Sequence, residues 1–218
     1  MLDLKARIDL ASLLSSRICH DLISPVGALS NGIEILSEEC DDDMREQTIA
    51  LLAHSANEAT GRLQLLRLAF GGSSSLGGLV GIGDGETALK DYLTTTKVSL
   101  QWQAAVDALP KQAMKLLLNM ALVATECIIR AGTLSVQASS QPDGLRLAAT
   151  ASGDRIMVSD DVAAIFDGTA GDDEIDARSV PALLAVMLAE DLGGRIAWER
   201  GGNQELVIKA MLPQMAVS

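Results

Sequence analysis

Residues 17–32, "RICHDLISPVGALSNG", hold the side chains best suited to chemistry: one of only two histidines, His20, beside Asp21, with Ser24 one turn on. The stretch reads as helix on both sides, yet it contains a proline and two glycines. On a wheel of 100° per residue, the apolar residues Leu14, Ile18, Leu22, Val26, Leu29, Ile33 and Leu36 recur every three or four places and predict one buried stripe. His20 lies two residues from both Ile18 and Leu22 and so points away from that stripe. Arg17, Ser24, Gly27 and Asn31 fall within about 60° of it. The expected exposed face is therefore Arg17, His20, Ser24, Gly27 and Asn31, with Asp21 on its flank.

An exposed imidazole titrates near 6.5 and is largely neutral at cell pH, which makes it a competent nucleophile. Gly27 leaves the surface around it shallow, open to a large partner. Pro25 cannot donate to the carbonyl of Asp21, so the helix is expected to be loosened there. The plain reading of a surface His–Asp pair is two solvated groups. Proline and glycine argue for more, because both cost stability inside a helix. His54, in "LLAHSANEA", has no such setting and reads as an ordinary polar-face residue. The chemistry that fits His20 is group transfer between proteins.

These residues have to be carried by a helical hairpin. A second periodic run, Leu52, Ala56, Ala59, Leu63, Leu66 and Phe70, follows the acidic turn "SEECDDD". Two helices cannot close a core, and a second copy supplies the economical completion, a four-helix bundle about a two-fold axis. The glycine- and serine-rich stretch 71–85 then breaks the pattern. Beyond it, helix is expected at 86–96, from Pro110 to about 130, at 160–166 and from Pro181 to the "LGG" at 192–194. Strands are expected at 97–104, 132–139, 144–151, 195–200 and 204–212. The fold class is α+β: residues 1–72 form the hairpin, 73–85 a linker, and 86–218 an α/β sandwich.

Composition narrows the partners. The 218 residues carry a net charge of −12 and few aromatics, a surface that repels phosphate backbones and anionic lipid and offers little for bases to stack on. Neither nucleic acid nor membrane is expected as a partner. Cys19, Cys40 and Cys127 show no paired spacing and read as reduced thiols. With no signal-like start and no spanning segment, the expected location is cytoplasmic.

"RICHDLISPVGALSNG" resembles the phosphoacceptor box of two-component histidine kinases, where an acid follows the histidine and a small polar residue precedes a proline. "HDLISPVGALSNGIE" together with "LLRLAFG" is similar to the ChpT-type histidine phosphotransferases of alphaproteobacteria, and the resemblance covers the whole chain. It implies a dimerising hairpin followed by a domain shaped like the kinase ATP-binding domain.

"KLLLNMALVATECI" resembles the asparagine-box helix of that domain, with Asn119 at the first Asn position, but Val123 stands where the magnesium-binding Asn belongs. "DLGGRIAWERGGNQELVIKAMLP" resembles its final helix and hairpin. "ASGDRIMVSDDVAAIFDG" has no DxGxG adenine reader, and "DARSVPALL" replaces the glycine-rich lid. Gly81, Gly83 and Gly85 in "GIGDG" read as linker, not as a phosphate loop.

The resemblance thus implies a degenerate domain and no cofactor of its own, a phosphotransfer protein and not an ATP-dependent kinase. His20 would take phosphate from a receiver-domain aspartate and pass it to another, in a relay between a hybrid kinase and response regulators. Magnesium would come with the receiver. Asp21 would orient the ring and Ser24 would hydrogen-bond near the phosphoryl group, with Arg17, Gly27 and Asn31 at the docking surface. Arg17 is either a cation for the phosphate or an i,i+4 partner of Asp21. The alternative is a non-catalytic scaffold or inhibitor that binds receivers or kinases on the same fold.

Overall fold

The computed structural model describes residues 4–38, 41–71, 78–171, 175–202 and 204–214. Cys40 and residues 72–77, which include the first part of the expected linker, lie outside them. Two helices lead, α1 (Leu4–Ser37) and α2 (Asp42–Phe70). The acidic turn between them includes a cap: the Asp41 carboxylate accepts from the Met44 amide at 2.8 Å, and Asp42 and Asp43 occupy the positively polarised first turn of α2.

The rest of the chain runs β1 (Leu79–Gly81), α3 (Ile82–Leu93), β2 (Lys97–Ala104), β3 (Ala108–Pro110), α4 (Lys111–Glu126), β4 (Ala131–Gln141), β5 (Gly144–Gly153), α5 (Asp160–Asp167), α6 (Val180–Asp191), β6 (Arg195–Gly201) and β7 (Glu205–Leu212). Five strands form one sheet in the order β2-β4-β5-β7-β6; β2 and β4 are parallel and the other neighbours antiparallel. The parallel pair needs a crossover, which α4 supplies.

One sheet face is apolar by simple alternation. Leu134, Val136 and Ala138 pair with Ala151, Ala149 and Leu147 on β5, which pair in turn with Leu206, Ile208 and Ala210 on β7. All are buried against helices, and α4 is buried on every side from Ala113 to Thr125. The turn between β4 and β5 needs Gly144: its φ is +140°, and a Cβ there would lie 2.0 Å from the Leu212 carbonyl.

Residues 79–85 depart from the linker expectation. β1 pairs antiparallel with β3, and α3 begins at Ile82, so Gly83 and Gly85 are helical. Three strand residues are too few to show a period, and their partners are some thirty positions away. A Cβ at Gly85 would meet the Met114 sulfur at 2.6 Å, so this glycine serves packing.

The buried line of α1 is also not the expected one. It consists of Arg17, Asp21, Pro25 and Gly32, rotated by roughly 80° on the helical wheel from the apolar stripe. Leu14, Ile18, Leu22, Leu29 and Leu36 are half-buried, whereas Val26 and Ile33 are exposed. At Arg17 the cover is the C-terminal domain; at Gly32 it is α2, whose Leu52 would lie 2.8 Å from a Cβ there. Leu65, Leu66 and Ala69 of α2 join the core of the C-terminal domain, and Asn119 Nδ2 donates to the Ala69 carbonyl at 3.0 Å and to that of Lys115 at 2.8 Å. Half of the partner that the hairpin needs is therefore the chain's own second domain.

Candidate active site

His20 projects from α1 with its side chain 56 % exposed. Its Nδ1 lies 3.2 Å from Asp21 Oδ1, although neighbouring side chains on a helix diverge by about 100°. A carboxylate there favours the tautomer with Nδ1 protonated, which leaves the Nε2 lone pair free.

Asp21 is buried, and its position is set from below. Arg17 Nε donates to Asp21 Oδ2 at 2.9 Å, one turn earlier on the same helix. The other nitrogens of Arg17 leave the hairpin: Nη1 donates to the Arg178 carbonyl at 3.2 Å, and Nη2 binds Glu126 Oε1 at the end of α4. Arg17 was expected on the exposed docking face. It is instead 5 % exposed, because the C-terminal domain closes over it with a carboxylate and a carbonyl that compensate its charge. Of the two roles open to it in the sequence, the geometry selects the pairing with Asp21.

Burial works against the Arg17 charge, but Glu126 and Asp21 more than offset it and hold the guanidinium firmly protonated. Burial draws the Glu126 carboxyl above its usual range, against the pull of Arg17. Tyr92 and Cys127 line the same region. Burial pushes the phenol up to about 12, with Glu126 adding to it, and the thiol also to about 12.

The helix at Pro25 is not broken. α1 runs through it from Leu4 to Ser37, and the carbonyl of Asp21 accepts a bond from Arg62 Nη1 of α2 at 2.7 Å. Arg62 is the site residue that the sequence reading missed. The orphan carbonyl announces that a donor is needed, but not which of the chain's cations supplies it.

Ser24 and Asn31 are exposed on the His20 side, and Gly27 is half-buried with nothing within 4 Å of where a Cβ would stand. His54 is exposed on α2. A cleft of about 500 Å³ opens beside His20, walled by α1, the end of α4, the start of α5 and the turn before α6. Val123, Ser159, Asp161 and Arg178 are among its lining residues. In that turn, Asp176 Oδ1 accepts from the amides of Arg178 and Ser179, both at 2.8 Å, which fixes the chain where its carbonyl meets Arg17. Among the described residues no cluster of side chains could hold a metal ion.

A family model described as the histidine phosphotransferase C-terminal domain matches residues 82–204. The protein phosphotransferase ChpT of Brucella abortus (strain 2308) is 39 % identical over 190 residues, 87 % of this chain and 90 % of that protein. The chain belongs to the histidine phosphotransferase family. A solved bacterial phosphotransferase is 35 % identical, superposes with a TM-score of 0.83, and spans 96 % of this histidine phosphotransferase and 98 % of its own chain. The histidine kinase domain of the blue-light-activated kinase from Erythrobacter litoralis is 12 % identical with a TM-score of 0.50 over 96 % of this chain and 94 % of that one, a likeness of fold alone. No described helix of this histidine phosphotransferase is long and apolar enough to cross a membrane.

Proposed function

We propose that His20 is the phosphoacceptor of a phosphorelay. Its Nε2 attacks the phosphorus of a receiver domain's aspartyl phosphate. The N–P bond forms, the acyl O–P bond breaks, and the receiver carboxylate leaves with the electron pair; the reverse step charges the next receiver. Asp21 holds the Nδ1 proton throughout and offsets the positive charge that the ring gains on phosphorylation. Phosphoryl transfer asks chiefly for alignment and charge neutralisation, and the receiver's magnesium ion would supply much of the latter.

The observation that carries this reading is the 3.2 Å contact between His20 Nδ1 and Asp21, on a ring that remains mostly exposed. Ser24 lies on the same open face and is placed to hydrogen-bond the phosphoryl oxygens. Gly27 and Asn31 extend that face as a docking surface for a receiver. The chain is proposed to use no nucleotide: Val123 offers no ligand to magnesium in the cleft wall, and Asn119 is fully buried.

The test is transfer of radiolabel from a phosphorylated receiver. His20→Ala loses the label, His54→Ala keeps it, and the bound phosphate is acid-labile and base-stable. Docking of a receiver without label on His20 supports the scaffold alternative instead. Calorimetry with magnesium and ATP is expected to show no sub-millimolar binding.

A further inference from the structure

Pro25 removes the backbone donor that would close the helical turn onto the Asp21 carbonyl. Arg62 Nη1 takes that place from the other helix, at 2.7 Å. Its aim is fixed by Glu58, one turn earlier on α2, whose Oε1 accepts from Arg62 Nη2 at 2.5 Å. Its height along the hairpin is fixed by Gly61: a Cβ there would lie 2.9 Å from the Asp91 carbonyl, so α2 can seat against the end of α3 only with glycine at this position. The carbonyl held in this way belongs to the residue whose carboxylate meets His20 Nδ1.

We propose that Arg62 is a positioning residue for the phosphoacceptor. It acts through Asp21, and the inference rests on the reading of His20 given above. A peptide N–H would also satisfy the carbonyl. Exchanging it for a guanidinium places the turn that presents His20 under the control of α2. The exchange also sets a cation against the peptide that follows Asp21, where a bond from a charged donor is stronger than one from a neutral amide.

This account makes Pro25 and Arg62 a matched pair, which a cycle of full-length proteins tests: wild type, Arg62→Met, Pro25→Ala and the double variant. The first readout is the ring nitrogen shifts of His20 by NMR, which report tautomer and pKa without any phosphate. The second is the rate of label uptake at saturating phosphorylated receiver.

Arg62→Met is expected to lose the Nδ1-protonated preference and to slow uptake by about tenfold, as loss of a charge-assisted bond implies. In the Pro25→Ala background, where residue 25 regains its N–H, the same Arg62→Met change should cost less than about twofold, because the carbonyl no longer needs the guanidinium. Arg62→Met with wild-type ring shifts and uptake overturns the inference, as does a double variant no better than Arg62→Met. If wild type takes no label, the phosphoacceptor reading fails by itself, and the ring shifts across the four proteins still judge Arg62.

Discussion

Arg17 on the first helix joins Glu126, 109 positions later at the end of α4, while its Nε holds the carboxylate of Asp21 at 2.9 Å. One guanidinium thus ties the turn that carries His20 to the C-terminal domain. The domain that looks like a kinase engine is, at this point, a clamp beneath His20.

Breaking the clamp from one side leaves charge buried without its partner. Arg17→Met should destabilise the chain by about 3 kcal/mol, the low end for such a loss because Glu126 is one-third exposed. Arg17→Met combined with Glu126→Gln should recover part of that, since the second change removes one uncompensated carboxylate. Urea unfolding monitored by circular dichroism measures both. A loss for Arg17→Met below about 1 kcal/mol, the range of surface pairs, contradicts the clamp.

Gly27 has open space where a Cβ would stand and lies inside α1. Gly27→Ala should therefore raise stability by about 0.5–1 kcal/mol, the ordinary gain of removing glycine from a helix interior. If the shallow surface serves receiver docking, the same change weakens receiver affinity while the ring shifts of His20 stay unchanged. Titration with an unphosphorylated receiver separates the two effects; unchanged affinity removes Gly27 from the docking surface.

Cys127 is buried, and its thiol stays neutral to about 12, whereas in the unfolded chain it ionises near 9. The unfolded state then sheds the proton first. The stabilising contribution is whole below pH 9 and is lost as pH rises toward 12, at about 1.4 kcal/mol per unit. Tyr92, also raised to about 12 from the usual phenol value of 10, adds to the same decline. Unfolding free energies from pH 8 to 11 should fall, and Cys127→Ala should flatten the early part of the fall. An identical slope in the variant refutes the assignment to Cys127.

The sheet was legible because its burial follows a period of two. Leu206, Ile208, Ala210 and Leu212 alternate with exposed or half-exposed neighbours, and the strand expected at 204–212 is β7 almost to the residue. The polar side of the hairpin was not legible. Whether Arg17 is exposed depends on Glu126 and the Arg178 carbonyl, far along the chain, and a helical wheel contains only neighbours. His20, Ser24 and Asn31 came out exposed as expected because nothing distant covers them. Pro25 was half legible: the lost donor is a local fact, and its replacement by Arg62 is a tertiary one.

The remaining face of the hairpin is apolar and uncovered. Ile8, Val26 and Ile33 of α1 are each more than half exposed, as are Ile49 and Leu63 of α2. The three α1 residues fall within about 20° of one another on the wheel, and His20 lies about 120° from Val26. A second copy packed on this stripe would complete a four-helix bundle and leave His20 open to a receiver. Light scattering at micromolar concentration should therefore give twice the chain mass of 22.9 kDa. Val26→Glu with Ile33→Glu places charge in the proposed seam and should yield monomers that keep their helicity and the His20 ring shifts, since neither residue touches the Arg17–Asp21 clamp. A monomeric wild type, or a double variant that remains dimeric, would show that this face is not the seam.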